Sequence, residues 1–242
     1  MRFLRSPCVC AVLLGLIVLS LSSPAQSWWG AEEGQHQHEH HHDEHDHSHD
    51  EGEPDPDITT VVTCGSVIAL KHVATGYRLH SHQVAYGSGS GQQSVTAVTS
   101  ADDTDNLWTV RGPHGGHCRQ GTPVKKGQTI RLQHLSTRQN LHSHLHVSPL
   151  SRQQEVSCFG ENGKGDSGDN WDVECNGDIW QRGEQIMLRH SDTGLYLHSH
   201  PIRYRNPIPG QQEVTANVPS EQTKWTTEEG IYFPVLEENT TA

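Results

Sequence analysis

Histidine dominates the chemistry open to this 242-residue chain: there are twenty, in two settings that imply different uses. Eight are packed among acids: His36, His38, His40, His41, His42, His45, His47 and His49. Alternating imidazoles on a polar chain are ligands for zinc, copper or nickel, held loosely because nothing fixes their geometry. They titrate near pH ~6.5, and full protonation would move the acidic stretch from −11 toward −3. His38-Glu-His-His-His42 formally matches a zinc-protease H-E-x-x-H, but that pattern needs a stable helix to put both histidines on one face. The match is read as accidental, and no firmly held cofactor is expected.

The second setting is an eleven-residue pattern, His-x-x-Thr-x-x-x-Leu-His-Ser-His. It occurs at His72 to His82, His134 to His144 and His190 to His200. His72, His134 and His190 share a strand face with the preceding Ile-x-Leu pair. They are expected half-buried, bonded to the backbone of the turn that carries Thr75, Thr137 or Thr193. In Leu-His-Ser-His, side chains alternate. His80 and His82, His142 and His144, and His198 and His200 each share one face. Two imidazoles on one strand are conceivable metal ligands, but structural zinc wants four converging N or S donors, so a structural role is preferred. The remaining catalytic signatures are absent. There is no G-x-S-x-G elbow, phosphate-binding loop or dinucleotide fingerprint, so an enzyme is not expected. Residues 160–172 resemble a calcium loop in composition but not in ligand order, and are read as a surface loop.

The elements that must carry these residues are short strands. Each copy is preceded by Ile-x-Leu (Ile68, Ile130, Ile186), followed by a Gln pair and a valine (Val95, Val156, Val214), and closed by Trp108, Trp171 or Trp225. In the first copy strands are expected at 67–73, 77–82, 94–99 and 107–111. Four strands in each of three repeats give twelve in roughly 180 residues, which fits an all-β β-trefoil: a six-stranded barrel capped by three hairpins. The repeats run about 61–115, 116–178 and 179–233, within a domain of 61–236 followed by a tail of 237–242. The pseudo-equivalent hairpin loops are candidate binding surfaces, exposed by position, through Tyr86, Gln92, Gln93, Gln153, Gln154, Gln211 and Gln212.

Residues 1–27 read as a secretory signal: Arg2 and Arg5, an apolar run of fourteen residues, then small residues at Ala25-Gln-Ser27. Fourteen residues are short for a bilayer, so no membrane span is expected after cleavage. Residues 28–60 follow as a disordered leader rich in His, Asp and Glu. Its eleven acids account for most of the net −12, and residues 58–242 carry only −3, with no basic stripe for nucleic acid. Cys64, Cys118, Cys158 and Cys175 remain after the signal. In an oxidising compartment all four are expected to pair, in any of three connectivities. Cys64, Cys118 and Cys175 each precede the first strand of a repeat, so any two of these three are candidates to lie close together. Asn239-Thr-Thr is a glycosylation sequon near the end of the chain.

Several stretches resemble the stromal cell-derived factor 2 family of MIR-repeat proteins. They are Val62-Thr-Cys-Gly-Ser66, Leu79-His-Ser-His82, Tyr86-Gly-Ser-Gly-Ser-Gly-Gln-Gln-Ser-Val95, Ser148-Pro-Leu-Ser151 and Gln154-Glu-Val156. The resemblance spans Val61 to Phe233. It implies a β-trefoil of three MIR repeats and a non-enzymatic ER-lumenal role in protein quality control. It also implies partners: an Hsp70 (BiP), its J-domain co-chaperone, and misfolded or O-mannosylated clients. Animal members often end in an HDEL-like retrieval signal, whereas this chain ends Glu238-Asn-Thr-Thr-Ala242. Retention would then come from a retained partner; otherwise the protein is secreted. The alternatives are a secreted glycan-binding trefoil, or a metal-binding secreted protein acting through the leader.

Overall fold

The computed structural model describes residues 60–236. The expected signal segment, the leader with His36 to His49, and the Asn239 sequon lie outside the described residues. The described chain is built from β1 (Val67–His72), β2 (Arg78–Ala85), β3 (Gln93–Val98), β4 (Leu107–Arg111), β5 (Thr129–His134) and β6 (Asn140–Val147). It continues through β7 (Gln154–Phe159), β8 (Trp171–Glu174), β9 (Gln185–His190), β10 (Tyr196–Arg203), β11 (Gln212–Asn217) and β12 (Trp225–Ile231). Short 3-10 turns precede β4, β8 and β12. Among the described residues no helix is long and apolar enough to cross a membrane.

The pairings form a β-trefoil. β1, β4, β5, β8, β9 and β12 make a closed antiparallel ring, with β12 returning to β1. Closure removes the sheet edges that would otherwise expose unpaired backbone groups. The hairpins β2–β3, β6–β7 and β10–β11 sit on this barrel, and their second strands pair with one another, β3 with β7, β7 with β11, and β11 with β3. Each hairpin carries a register shift just after its Leu-His-Ser triplet. The bulge lets the strand run on toward the pseudo-threefold axis. For that reason β2 extends to Ala85 rather than stopping at the expected His82.

Period-2 alternation places the repeated apolar residues inside. Ile68, Leu70, Leu79, Val95 and Trp108, with their counterparts in the other repeats, are almost fully buried. Each closing tryptophan also donates its indole N–H to the backbone of the Leu-His-Ser-His strand: Trp108 to Leu79, Trp171 to Leu141 and Trp225 to Leu197, at 3.0–3.1 Å. The buried aromatic ring is thereby kept in one orientation.

His72, His134 and His190 are completely buried, which corrects the half-buried expectation. Nδ1 of each meets the hydroxyl of Thr75, Thr137 or Thr193 at 2.8–2.9 Å. Nε2 donates to a carbonyl in the previous repeat: His134 to Asp105, His190 to Gly168, and His72 to Gln222 of the last repeat. The ring also packs against the previous repeat's tryptophan, with centroids 4.9–5.0 Å apart and planes tilted by 52–58°. The turn's threonine hydroxyl is a partner in every copy, joined at His134 by the expected turn backbone through Thr137 N–H at 3.3 Å, and each imidazole reaches beyond its own turn to join adjacent repeats. A carbonyl only accepts, so Nε2 carries the hydrogen and Nδ1 is left to accept from the threonine. The imidazole is held neutral.

The disulfide expectation needs correction. Cys64 and Cys118 are joined, with Cα atoms 5.9 Å apart, while Cys158 and Cys175 are free thiols. The bridge uses two of the three positions that precede a first strand, leaving Cys175 without its natural partner. Cys158 lies in the core on β7, with its sulfur 3.3 Å from the Ser81 hydroxyl, and burial pushes its thiol up to about 12. Cys175 is also mostly covered, and burial, then Glu184, raises its thiol as well, so native protein should react slowly with a thiol reagent, and the unfolded, unreduced chain of residues 28–242 should titrate two thiols. Four blocked cysteines under denaturing conditions would contradict this.

His134→Ala should remove about 2–4 kcal/mol of stability, because it opens a cavity beside Trp108 and leaves the Asp105 carbonyl unpaired. Urea unfolding of the variant against the parent measures this. Burial also holds His72, His134, His190 and His198 below the ordinary 6.5, His198 at about 4. The unfolded chain thus binds protons that the folded chain refuses. Stability should be complete above pH ~6.5 and fall steadily from there toward pH ~4, His198 alone contributing up to about 3 kcal/mol. Midpoints from denaturation at a series of pH values test the slope; a flat profile across this window would refute it.

Candidate functional site

The Leu-His-Ser-His strands and the 3-10 turns before each tryptophan face one another, forming three pseudo-equivalent polar clefts. The first histidine of each strand is buried against its turn. His80 Nδ1 lies 3.1 Å from Asn106 Oδ1, and His142 Nδ1 lies 2.9 Å from Asp169 Oδ1. His198 meets Gln222 Oε1 and Thr215 Oγ1, each at 3.0 Å. Asn106 and Asp169 both stand two residues before the tryptophan. Asp169 is fully buried, so the 160–172 segment is more than the surface loop expected: it delivers a carboxylate into the fold, received by His142 and by Asn140 Nδ2 at 2.9 Å.

The second histidine diverges among repeats for a readable reason. His144 Nε2 meets Glu155 at 3.3 Å and His200 Nε2 meets Glu213 at 3.0 Å, both carboxylates fully buried. In the first repeat the residue at that position is Ser94, so His82 turns to His80 instead, Nδ1 to Nε2 at 2.9 Å. Desolvation, then the neighbouring His80, holds His82 below its ordinary value. Burial alone would raise the Glu213 carboxyl. Bonds from His200, Ser151 N–H and Leu150 N–H outweigh it and hold the group below the usual range. Glu155 receives Ser90 of the first hairpin loop in the same manner. A buried acid in one repeat thus pins the loop of the repeat before it.

Of the loop residues expected to present a binding surface, Tyr86, Gln93 and Gln212 are buried, while Gln92, Gln153, Gln154 and Gln211 are half-buried and Gln92 lines the second-repeat cleft. Tyr86 is buried, its hydroxyl 2.9 Å from both the Val95 and Val156 carbonyls. Gln92, Gln153 and Gln211 each accept a hydroxyl from the neighbouring repeat: Ser157, Thr215 and Thr96, at 2.5–2.6 Å. Gln93 and Gln212 are buried and Gln154 half-buried. Gln93 donates to Ser81 and Thr137, and Gln154 to Ser143 and Thr193. Five of the six glutamines thus bond side chains of other strands around the pseudo-threefold axis, while Gln212 Oε1 is buried without a partner. The exposed side chains of the hairpins are others: Leu145 at 87%, Ile202 at 52% and Val147 at 43%.

The second repeat has the best-furnished cleft, about 510 Å³, lined by His142, His144, Leu145, Phe159, Asp166 and Asp192 among others. Here His142, Asp166 and Asp169 bring one ligand atom each within 4.8 Å of one another, the one such grouping of His, Cys, Asp or Glu among the described residues. His142 and Asp169 already satisfy each other by a hydrogen bond. Across the three clefts each histidine reaches its own turn or its own strand pair, so the six do not converge on a shared centre. The chemistry on offer is recognition: an aromatic and an aliphatic wall beside acids and imidazoles able to bond hydroxyl groups.

The MIR domain model matches residues 78–216. The stromal cell-derived factor 2-like protein of Dictyostelium discoideum is 57% identical over 180 residues, covering 72% of this chain and 85% of that protein. The crystal structure of the SDF2-like protein from Arabidopsis thaliana is 46% identical with a TM-score of 0.71, over 73% of this chain and 99% of that one. The Saccharomyces cerevisiae protein O-mannosyltransferase Pmt1–Pmt2 complex bound to the sugar donor contains a similar fold, 34% identical with a TM-score of 0.65, over 77% of this chain but 28% of that one. With identity of this level spread over the whole trefoil, the chain belongs to the stromal cell-derived factor 2 family of MIR-domain proteins.

Proposed function

We propose that this protein is a non-enzymatic adaptor of the ER lumen that binds misfolded or O-mannosylated clients and hands them to a J-domain co-chaperone and its Hsp70 partner, BiP. The observation that carries the reading is the state of the polar residues. The repeated histidines, glutamines and buried acids are engaged in joining strands and repeats, which leaves binding rather than bond-making as the work of the surface. The second-repeat cleft supports the mannosyl part of the reading, because Phe159 offers an apolar wall while Asp166 and Asp192 offer hydroxyl acceptors. Likeness to part of an O-mannosyltransferase complex supports the same substrate class. Leu145, Val147 and Ile202 supply exposed apolar surface of the kind an unfolded segment seeks.

A native pull-down of the tagged chain from its own secretory pathway, read by mass spectrometry, is the direct test. Recovery of an ER J-domain protein and BiP, resistant to washing, is the expected result. Recovery of neither, with the chain accumulating in the medium, would replace the adaptor with a secreted binding module.

A further inference from the structure

The three repeats act as controls for one another, and at one position they disagree in charge. The third residue after each closing tryptophan is Glu174 in the second repeat, Glu228 in the third and Arg111 in the first. Glu228 is paired with Lys71 at 3.0 Å and Arg78 at 2.6 Å. Glu174 accepts from the Tyr196 hydroxyl at 2.9 Å, and the neighbouring Asp172 pairs with Arg189 at 3.3 Å. Arg111 instead stands directly opposite Arg131 across the β4–β5 ladder. Like charges facing each other in this way are destabilising.

A third arginine joins them. Arg138 occupies a left-handed turn position, φ 59°, where the other repeats have Gly76 and Gly194 at 73° and 72°. A side chain there works against the backbone. All three arginines line one cleft of about 620 Å³, and none of its lining residues is acidic. Among the described residues none of the three forms an ion pair. Neutral acceptors hold two of them in place: Gln133 Oε1 takes Arg111 Nε at 3.3 Å, and the Gly112 and Gly163 carbonyls take Arg131 at 2.9 and 3.1 Å. The guanidiniums are thus positioned without being neutralised. Partial burial, then Arg138 and Arg131, holds the Arg111 guanidinium below its ordinary value. Two unfavourable choices converge where the other repeats choose acid and glycine, and an anion filling the cleft would turn both to use.

We propose that the cleft between the first and second repeats, built on Arg111, Arg131 and Arg138, binds a phosphate or sulfate ester. Planar guanidinium forks match the oxygens of a tetrahedral oxyanion, and three of them compensate its full charge. The site is separate from the second-repeat cleft proposed for clients, so the two readings stand or fall independently.

The test uses the full chain and two variants, with melting temperature and calorimetric titration read at matched ionic strength. In the parent, inorganic phosphate should raise the melting temperature above the chloride control. Arg111→Glu should weaken phosphate binding by roughly tenfold or more. It should also raise the ion-free melting temperature by about 2 °C, since Arg131 then faces an acid in place of a like charge. Arg138→Gly should likewise weaken binding without lowering the ion-free melting temperature. Titration with a sugar 6-phosphate, the matching 6-sulfate and the unsubstituted sugar then identifies the source, and an Arg111-dependent preference for either ester supports the site. Equal phosphate responses in parent and Arg111→Glu, a fall in ion-free stability in that variant, or no preference for an ester over the plain sugar would overturn it.

Discussion

Everything in this structure hangs on a neutral imidazole that touches two repeats at once. Each of His72, His134 and His190 accepts from its own threonine, donates to the previous repeat's carbonyl and packs against the previous repeat's tryptophan. The chain of bonds is longer still at two of the three joints: Gln93 donates to Thr137, which meets His134, which donates back to Asp105. Such a relay is worth its burial because every member is satisfied, and a half-satisfied one would be worse than an apolar core. It also dictates geometry. The indole, the imidazole and the hydroxyl admit one arrangement, so the angle between successive repeats is set by polar contacts rather than by the shape of the apolar core alone.

The pseudo-symmetry makes the departures informative. Ser94 in place of a buried glutamate redirects His82 onto His80, and the first hairpin loop in turn leans on Glu155 of the second repeat. Asp169 in place of Asn106 gives the second cleft a buried carboxylate that the first lacks. Arg111 in place of glutamate reverses the sign of one inter-repeat groove. None of these changes breaks the ring of strands, because the buried Ile, Leu and Trp positions that fill it are the same in every repeat. The fold is therefore a fixed frame with three variable sockets.

Much of that frame was legible in the sequence. The Ile-x-Leu-x-His alternation, the tryptophan closing each copy and the spacing of the copies led to twelve strands and a trefoil, and β4 falls on the residues expected for it. The residues of the sockets were harder to read. The depth of His72 and the cross-repeat bonds of Gln92 and Gln93 depend on which strand of another repeat lies across from them, and strand register over fifty residues leaves no local mark. Tyr86 looked like a loop-tip aromatic because nothing in its flanking glycines announces that the loop folds back over the axis. Asp169 and Arg111 could have been found by lining up the repeats on their tryptophans rather than on their histidines. That alignment places each beside the residues it departs from.

The ring also closes across time. β1 is paired with β12, and His72 is bonded to Gln222, 150 residues later. A stack of repeats open at both ends can settle one unit after another as it leaves the ribosome, but here the first repeat has no neighbour on one side until the last has been made. An emerging chain must keep the apolar edge of β1 and the packing face of His72 unfilled while more than a hundred further residues arrive. During its own synthesis, then, the chain presents an unfinished apolar edge until its last repeat is made.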